Sequence, residues 1–291
     1  MFPANIDDYV RPESVEEALA AVAKYDEGES VFLAGGQSLM QAIKSRIVRP
    51  RCIVDLQNVD KLRGIDQTSG LTIGAMARYV EIAECKTLPP AYAALNDAAY
   101  HVGDRQVRNR GTIGGSICWN YVASCMPAVV LALNGTITLA SSKGSFREMD
   151  AQDFILGPFE TAREDNEILL SISWPTAPAR AGSAYKKWGL VTDSLPVVGV
   201  CVNVTLDTEG VCTAARVAVA GLADGAQLSV PGAEAIIGSN GSDDSITAAM
   251  ATVAGSVETH TDHWADAEYR DQLICSVGAE VTATAFKRAR S

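Results

Sequence analysis

Two short glycine-bearing segments carry the residue types best suited to chemistry. Leu33-Ala34-Gly35-Gly36-Gln37-Ser38-Leu39-Met40 and Arg110-Gly111-Thr112-Ile113-Gly114-Gly115-Ser116 each put small residues where bare main-chain N–H groups can face an anion. Glycine serves that purpose on two counts: it reaches φ > 0 without strain, and its missing side chain lets a phosphate approach the backbone. The elements that must hold the first segment can be read around it. Apolar Val31-Phe32-Leu33 reads as a strand, the glycine pair as a tight turn, and Ser38 with Gln41 three residues on as the capping box of a helix. Together the two segments point to a bound dinucleotide.

Other reactive side chains are sparse. The chain has three histidines, His101, His260 and His263, so a histidine-based acid–base mechanism has few places to live. His260 and His263 lack neighbouring thiols, and no metal site is expected there. Seven cysteines, at 52, 85, 118, 125, 201, 212 and 275, include no C-x-x-C pair. That argues against a zinc ribbon, a thioredoxin-type site or an iron–sulfur cluster held within this chain. There is no G-x-G-x-x-G after a strand, no G-x-x-x-x-G-K-[ST], no H-E-x-x-H and no G-x-S-x-G. Rossmann, P-loop, zincin and hydrolase readings lose support accordingly.

With 291 residues, 47% of them apolar, the chain can bury one large core or several smaller ones. Lysine and arginine number 24 against 35 acidic residues, a net charge of −11. The densest early basic group, Lys44, Arg46, Arg49 and Arg51, is short, so neither a nucleic acid nor an anionic membrane is expected as partner. Residues 1–11 carry Asp7 and Asp8 and lack a basic region followed by an apolar one, so no signal peptide is expected. The longest apolar stretches, 126–133 and 196–202, are too short to span a bilayer. Scattered thiols fit a reducing compartment, and a cytoplasmic location is the expectation.

Ser14 heads a helix in which Val15, Ala18, Leu19 and Val22 recur at helical spacing, with Glu17 completing a second capping box. Strand, loop, helix and the strand Cys52-Ile53-Val54-Asp55-Leu56 follow, so residues 13–56 alternate as a small α/β unit does. Next, strands are expected at 71–75, 137–139 and 168–174 and helices at 79–85 and 91–99, a mixed unit that contains the second glycine segment. Pro175, Pro178 and Gly182 mark a boundary near 176–179. Beyond it, strands at 184–189, 197–206 and 211–220 precede helices at 232–237, 245–257 and 266–289; Thr208-Glu209-Gly210 turns between two of the strands. The fold class is α+β: a two-part N-terminal domain, 1–177 (about 1–57 and 58–177), and a C-terminal domain, 178–291, of three antiparallel strands packed with helices.

Ala34-Gly35-Gly36-Gln37-Ser38-Leu39 and the run Gln106-Val107-Arg108-Asn109-Arg110-Gly111-Thr112-Ile113-Gly114-Gly115-Ser116 resemble the two FAD-binding signatures of the medium subunit of molybdenum hydroxylases, the flavoprotein subunit of the xanthine dehydrogenase and carbon monoxide dehydrogenase family. The resemblance runs nearly end to end, through Tyr9-x-Arg11-Pro12-x-Ser14-x-x-Glu17-Ala18, Asp55-Leu56, Ile73-Gly74-Ala75, Glu167-Ile168-Leu169, Tyr185-Lys186, Val219-Ala220-Gly221 and Ala267-Glu268-Tyr269-Arg270. It implies that the N-terminal domain binds FAD. Leu33, Ala34, Gly35, Gly36, Gln37, Ser38, Leu39 and Met40 would grip the diphosphate and ribityl from one side, and Gly111, Thr112, Ile113, Gly114, Gly115 and Ser116 from the other. Val102 and Leu169 would contact the flavin, and Lys186 would lie near the isoalloxazine, where a cation stabilises the anionic reduced form. Oriented N–H dipoles and helix ends suit an acidic protein that must hold two phosphate charges. The bland reading of Lys186 is a surface lysine on a strand.

The same resemblance implies partners: a large subunit whose molybdopterin hydroxylates substrate and a small subunit with two [2Fe-2S] clusters, as a dimer of heterotrimers. This chain would relay electrons outward through FAD, with no catalytic side chain of its own. It departs from the family where relatives carry a run like H-A-D-P-A-A-D-L-P-A. Here the run is Trp119-Asn120-Tyr121-Val122-Ala123-Ser124-Cys125-Met126-Pro127-Ala128, so Tyr121 and Cys125 replace both acidic residues, and Ser116, Ser124 or Asn120 must supply the hydrogen bonds. Leu190-Val191-Thr192-Asp193 also lacks the arginine pair found near the NAD pocket of xanthine dehydrogenases. Two rival readings are a free-standing flavin oxidoreductase, with Trp119, Tyr121 and His101 in its substrate pocket, and an assembly subunit that has lost FAD. No motif specifies the whole enzyme's substrate or its electron acceptor.

Overall fold

The computed structural model describes residues 5–291; residues 1–4 of the opening segment lie outside it. The first unit runs β1 (Asp8–Val10), α1 (Val15–Val22), β2 (Ser30–Leu33), α2 (Leu39–Lys44) and β3 (Cys52–Asp55), with a parallel sheet ordered β1-β3-β2. All four residues of β3 are buried, the continuous apolar reading of a strand covered on both faces. Ser14 caps α1, its Oγ accepting from the Glu17 N–H at 3.1 Å. The Glu17 carboxylate takes the N–H of Glu13, one residue before the cap, at 2.9 Å.

The second unit carries β4 (Ile65–Asp66), β5 (Leu71–Gly74), α3 (Tyr79–Glu84), α4 (Ala93–His101), α5 (Arg105–Arg108), α6 (Ile113–Trp119), α7 (Cys125–Ala132), β6 (Thr136–Ser141), β7 (Phe146–Asp150), α8 (Ala151–Phe154), β8 (Ile155–Gly157), β9 (Glu160–Thr161) and β10 (Glu167–Trp174). Its antiparallel sheet is ordered β4-β5-β10-β6-β7, and β8 and β9 form a separate small hairpin. Periodicity does not announce α6 or α7. Every residue of α7 is buried, so it has no polar face to set a period.

The third unit comprises β11 (Ala181–Trp188), β12 (Val198–Leu206), β13 (Cys212–Ala220), β14 (Gln227–Leu228), α9 (Val230–Ile236), α10 (Asp243–Ser256) and α11 (Ala267–Ala289). Its antiparallel sheet has four strands, not three; β14 is two residues pairing Ala218 with Leu228 and Val219 with Gln227, too short to carry an alternation. Leu273, Ile274, Val277, Val281 and Ala285 give α11 an apolar stripe that covers β11 and β12. The sheet's other side meets α4 and α7. Arg288 of α11 grips Asp97 of α4 with two hydrogen bonds, 2.6 and 2.9 Å, which tie the third unit to the second.

Candidate functional site

The first glycine segment leaves β2 and turns through Gly36, whose φ of +74° is a conformation few side-chain-bearing residues adopt. Ser38 does not cap α2: it sits in the αR region and its side chain makes no cap bond, which corrects the capping-box expectation. Its carbonyl instead receives the N–H groups of Gln41 and Ala42, at 3.0 and 3.1 Å. Among the described residues, nothing accepts a hydrogen bond from the N–H of Gly35, Gly36, Gln37 or Ser38. Four consecutive main-chain donors are thus free for an anion. Behind them, Gln57 Nε2 donates to the Ala34 carbonyl at 2.7 Å, and the buried Asp55 holds the Gln57 N–H at 2.9 Å. Tyr9 donates to the same carboxylate.

The second segment is helical, not a loop. Thr112 is the N-cap of α6, its Oγ1 accepting from Gly115 N at 3.1 Å, and Ile113, Gly114 and Gly115 form the first turn. Most of its amides are paired: Gly111 donates to Val107 O, Ile113 to Ala77 O and Gly114 to Ala75 O, at 2.7, 3.1 and 2.9 Å, and among the described residues only the Thr112 N–H meets no acceptor. A row of bare amides is therefore found on the first segment, and a single one, that of Thr112, on the second. What the second contributes is close approach. A Cβ on Gly35 would lie 2.1 Å from the Arg110 carbonyl oxygen and 2.8 Å from Gly111 Cα, so the two segments touch backbone to backbone. With α2 of six residues and α6 of seven, the local N–H groups outweigh any helix macrodipole.

Both segments open onto a cleft of about 610 Å³. Ala34, Gly35, Gly36, Gln37, Ser38, Leu39, Val102, Gly111, Thr112, Gly114, Gly115, Ser116 and Leu169 all line it. Four other predicted residues do not. Leu33 and Met40 line a smaller cavity behind the first segment, with Lys44, Gln57 and Arg110, and Ile113 is fully buried in the core. Lys186 pairs with Glu280 on the exposed face of β11 and does not line the cleft. Its neighbour Lys187 lines the cleft instead, because successive strand residues point to opposite faces. The signal for Lys187 was the Lys186-Lys187 pair itself, whose phase the sequence leaves open. Trp119, Tyr121, Ser124, Cys125 and His101 also line the cleft. Asn120 does not: it is buried, and its Nδ2 donates to the carbonyls of Gly157 and Glu160 at 2.6 and 3.1 Å.

Burial shapes the titrating groups of the cleft. It lowers the pKa of Lys187, whose Nζ donates to the Ser194 carbonyl. It lowers that of His101 too, helped by the positive charge of Lys187 and opposed by Asp97. It raises the Cys125 and Cys118 thiols, so both are protonated at neutral pH. Outside the cleft, His260 lies 3.5 Å from Asp262, whose carboxylate also meets Arg270 at 2.8 Å, and His263 packs on Trp264. Among the described residues no three His, Cys, Asp or Glu side chains stand together as a metal would need.

Free amides, a glycine contact and a cleft within the size range of small-molecule sites make a site suited to an anionic group such as a diphosphate. Residues 4–177 match the family model for the FAD binding domain in molybdopterin dehydrogenase, and residues 183–285 that for the CO dehydrogenase flavoprotein C-terminal domain. The chain belongs to the family of FAD-binding medium subunits of molybdenum hydroxylases. It is 33% identical to the 6-hydroxypseudooxynicotine dehydrogenase complex subunit alpha of Paenarthrobacter nicotinovorans over 97% of its own length and 95% of that chain's. It is 32% identical to the carbon monoxide dehydrogenase medium chain of Hydrogenophaga pseudoflava over 69% of this chain and 70% of that one. Among solved structures, quinoline 2-oxidoreductase from Pseudomonas putida 86 superposes with a TM-score of 0.90 at 28% identity, covering the whole of both chains. No helix among the described residues is long and apolar enough to cross a membrane.

Proposed function

We propose that this chain is the electron-exit subunit of a heterotrimeric molybdenum hydroxylase, taking electrons from [2Fe-2S] clusters of a small partner through FAD to an external acceptor. A large molybdopterin subunit completes each trimer, two trimers pair, and the assembly is cytoplasmic. Residues 1–177 form the FAD-binding domain and 178–291 the domain that closes the cleft. The observation that carries the reading is the row of four unpaired amides, Gly35 to Ser38, pressed against the second glycine segment at the mouth of one cleft.

The residues fit FAD. The free N–H groups of Gly35, Gly36, Gln37 and Ser38 hold the diphosphate, Ser116 and Ser124 offer hydroxyls to the ribityl, and Leu169 and Val102 give apolar walls. Bound there, FAD supplies a centre that accepts electrons singly and releases them singly or in pairs. Lys187 places a cation inside the cleft, favouring negative charge on its occupant, and its bond to the Ser194 carbonyl ties the 189–196 loop to β11. No side chain of this chain is asked to act on the hydroxylated substrate.

Coexpression with the chromosomal neighbours tests the reading: flavin, iron and molybdenum should copurify in one complex, with one FAD per copy of this chain. A yellow chain that turns over substrate alone would favour the free-standing oxidoreductase, for which Trp119, Tyr121 and His101 in the cleft speak. A colourless chain in a complex would leave an assembly subunit.

A further inference from the structure

A second cavity, of about 420 Å³, lies among α4, β11 and α11, lined by Asn96, Asp97 and Tyr100, by Lys186, and by Glu280 and Arg288. Among the described residues His101 alone lines both this outer cavity and the cleft. It is the last residue of α4, half-buried, and its surroundings hold it in place. Arg108 donates to the carbonyls of Val102 and Gly103, at 3.2 and 2.7 Å, and its guanidinium stands over the Tyr100 ring at 5.5 Å. Tyr100 in turn meets the imidazole edge-on, centroids 6.0 Å apart. Neither ring nitrogen of His101 has a hydrogen-bond partner among the described residues, and neither is sealed from water. An imidazole with both nitrogens free can take a proton from one cavity and release it into the other.

The other titrating groups of the two cavities suit that task less well. In the outer cavity Asp97 is held by Arg288, and Glu280 by Lys186. In the cleft Asp165 accepts the Gly28 N–H at 2.9 Å, Lys187 and Arg163 donate to main-chain carbonyls, and Asp193 is the remaining carboxylate. Burial keeps the Cys118 and Cys125 thiols protonated. Burial and the positive charges of Lys187, Lys186 and Arg108 lower the pKa of His101 against the pull of Asp97, so the ring rests uncharged at neutral pH, ready to accept a proton and pass it on.

Iron–sulfur clusters hand over electrons one at a time and no protons, so a flavin they reduce must draw its protons from water. Resting on the electron-exit reading above, we propose that His101 is the proton relay of the flavin site, carrying protons between the water of the outer cavity and the occupant of the cleft. Two electrons and one proton convert oxidised flavin to its anionic reduced form, the charge state that Lys187 favours. The proton comes from an N–H of the His101 imidazolium, and the ring regains one from bulk water through the outer cavity. When the two electrons leave, the proton returns by the same route, and no bond to the protein forms.

Stopped-flow reduction of the FAD-loaded full-length chain by reduced methyl viologen, a donor of single electrons and no protons, tests the relay, with a pH-indicator dye reading proton uptake beside flavin bleaching. His101→Gln, which keeps a hydrogen-bonding amide but cannot titrate, should slow proton uptake about 10²-fold, and imidazole added to His101→Gly should restore it. Uptake by His101→Gln at the wild-type rate, or a loss that imidazole does not restore, would overturn the proposal. A second readout needs no turnover: loading the wild-type chain with FAD should shift the magnetic-resonance signals and the titration of the His101 ring and leave those of His260 and His263 in place. An unmoved His101 ring would equally overturn it. Imidazole-restored uptake in a chain that never copurifies with iron and molybdenum would uphold the relay and sink the electron-exit reading, whereas His101-independent uptake in a chain that does copurify with them would sink the relay alone.

Discussion

Gly35→Ala is the substitution that most directly tests how the cleft holds its ligand. The new Cβ would stand 2.1 Å from a backbone carbonyl oxygen, and Cβ contacts below 3.0 Å do not occur, so the two glycine segments must part by about 0.9 Å. Neither obstacle is a flexible side chain; both are main chain. Overpacking of this kind destabilises by about 1–3 kcal/mol, and at roughly 2–4 °C per kcal/mol the melting temperature falls by about 2–12 °C. The larger effect falls on FAD. An amide–phosphate bond near 2.9 Å, stretched by that displacement, leaves the hydrogen-bonding range. Each such bond is worth about 1.5–3 kcal/mol, so losing two weakens affinity by about 10²–10⁴-fold. Reconstitution of the apo chain with FAD, followed by flavin fluorescence, measures this. Gly255→Ala is the control: it lies in α10 with nothing within 4 Å, and should raise stability by about 0.5–1 kcal/mol without touching FAD binding. A Gly35→Ala chain that binds FAD within threefold of wild type would refute the reasoning.

Lys187→Met should lower the flavin midpoint potential by about 30 mV, equivalent to ~1.4 kcal/mol for a two-electron couple, whereas Lys186→Met should leave it in place and change stability by less than about 1 kcal/mol, since only an exposed pair with Glu280 is lost; equal shifts in spectroelectrochemistry would contradict the assignment. Asp262 is held at a pKa of about 2: partial burial pushes it up, and the N–H groups of Trp264 and Ala265 with Arg270 outweigh that. Because the folded value lies below the unfolded one, the stabilisation of about 2 kcal/mol is complete above roughly pH 5 and lost as pH falls towards 2. Asp262→Asn should therefore trail wild type in urea unfolding at pH 7 and approach it near pH 2; a pH-independent gap would count against this. Cys52, Cys125, Cys201 and Cys212 are buried, and burial raises each thiol's pKa. An aromatic disulfide reagent should label the half-exposed Cys85 first, and these four only on unfolding; fast labelling of any of the four in the native chain would be inconsistent with the packing described.

The local elements were legible where their own side chains impose a period or a cap. Ser14 caps α1, and the apolar stripe of that helix follows from spacing alone. The apolar runs of β2, β3, β12 and β13 needed nothing from afar. Family membership was legible as well, because glycines at fixed places report backbone constraints that few architectures share. β14, with two residues, and α7, buried on all sides, offered no period to read.

Gly35, Gly36 and Gly111 are written in the sequence as missing Cβ atoms, and with them the room for backbone to approach backbone or an anion. Which amides remain free was a tertiary decision: Ala75, Ala77 and Val107 supply carbonyls to Gly114, Ile113 and Gly111 of the second segment, while none of the described residues accepts from Gly35, Gly36, Gln37 or Ser38 of the first. The same holds for Lys187 over Lys186, where strand phase against the cleft chooses the side chain. Chemistry of residue types is local, but satisfaction of hydrogen bonds and the facing of side chains are properties of contacts between segments distant in sequence.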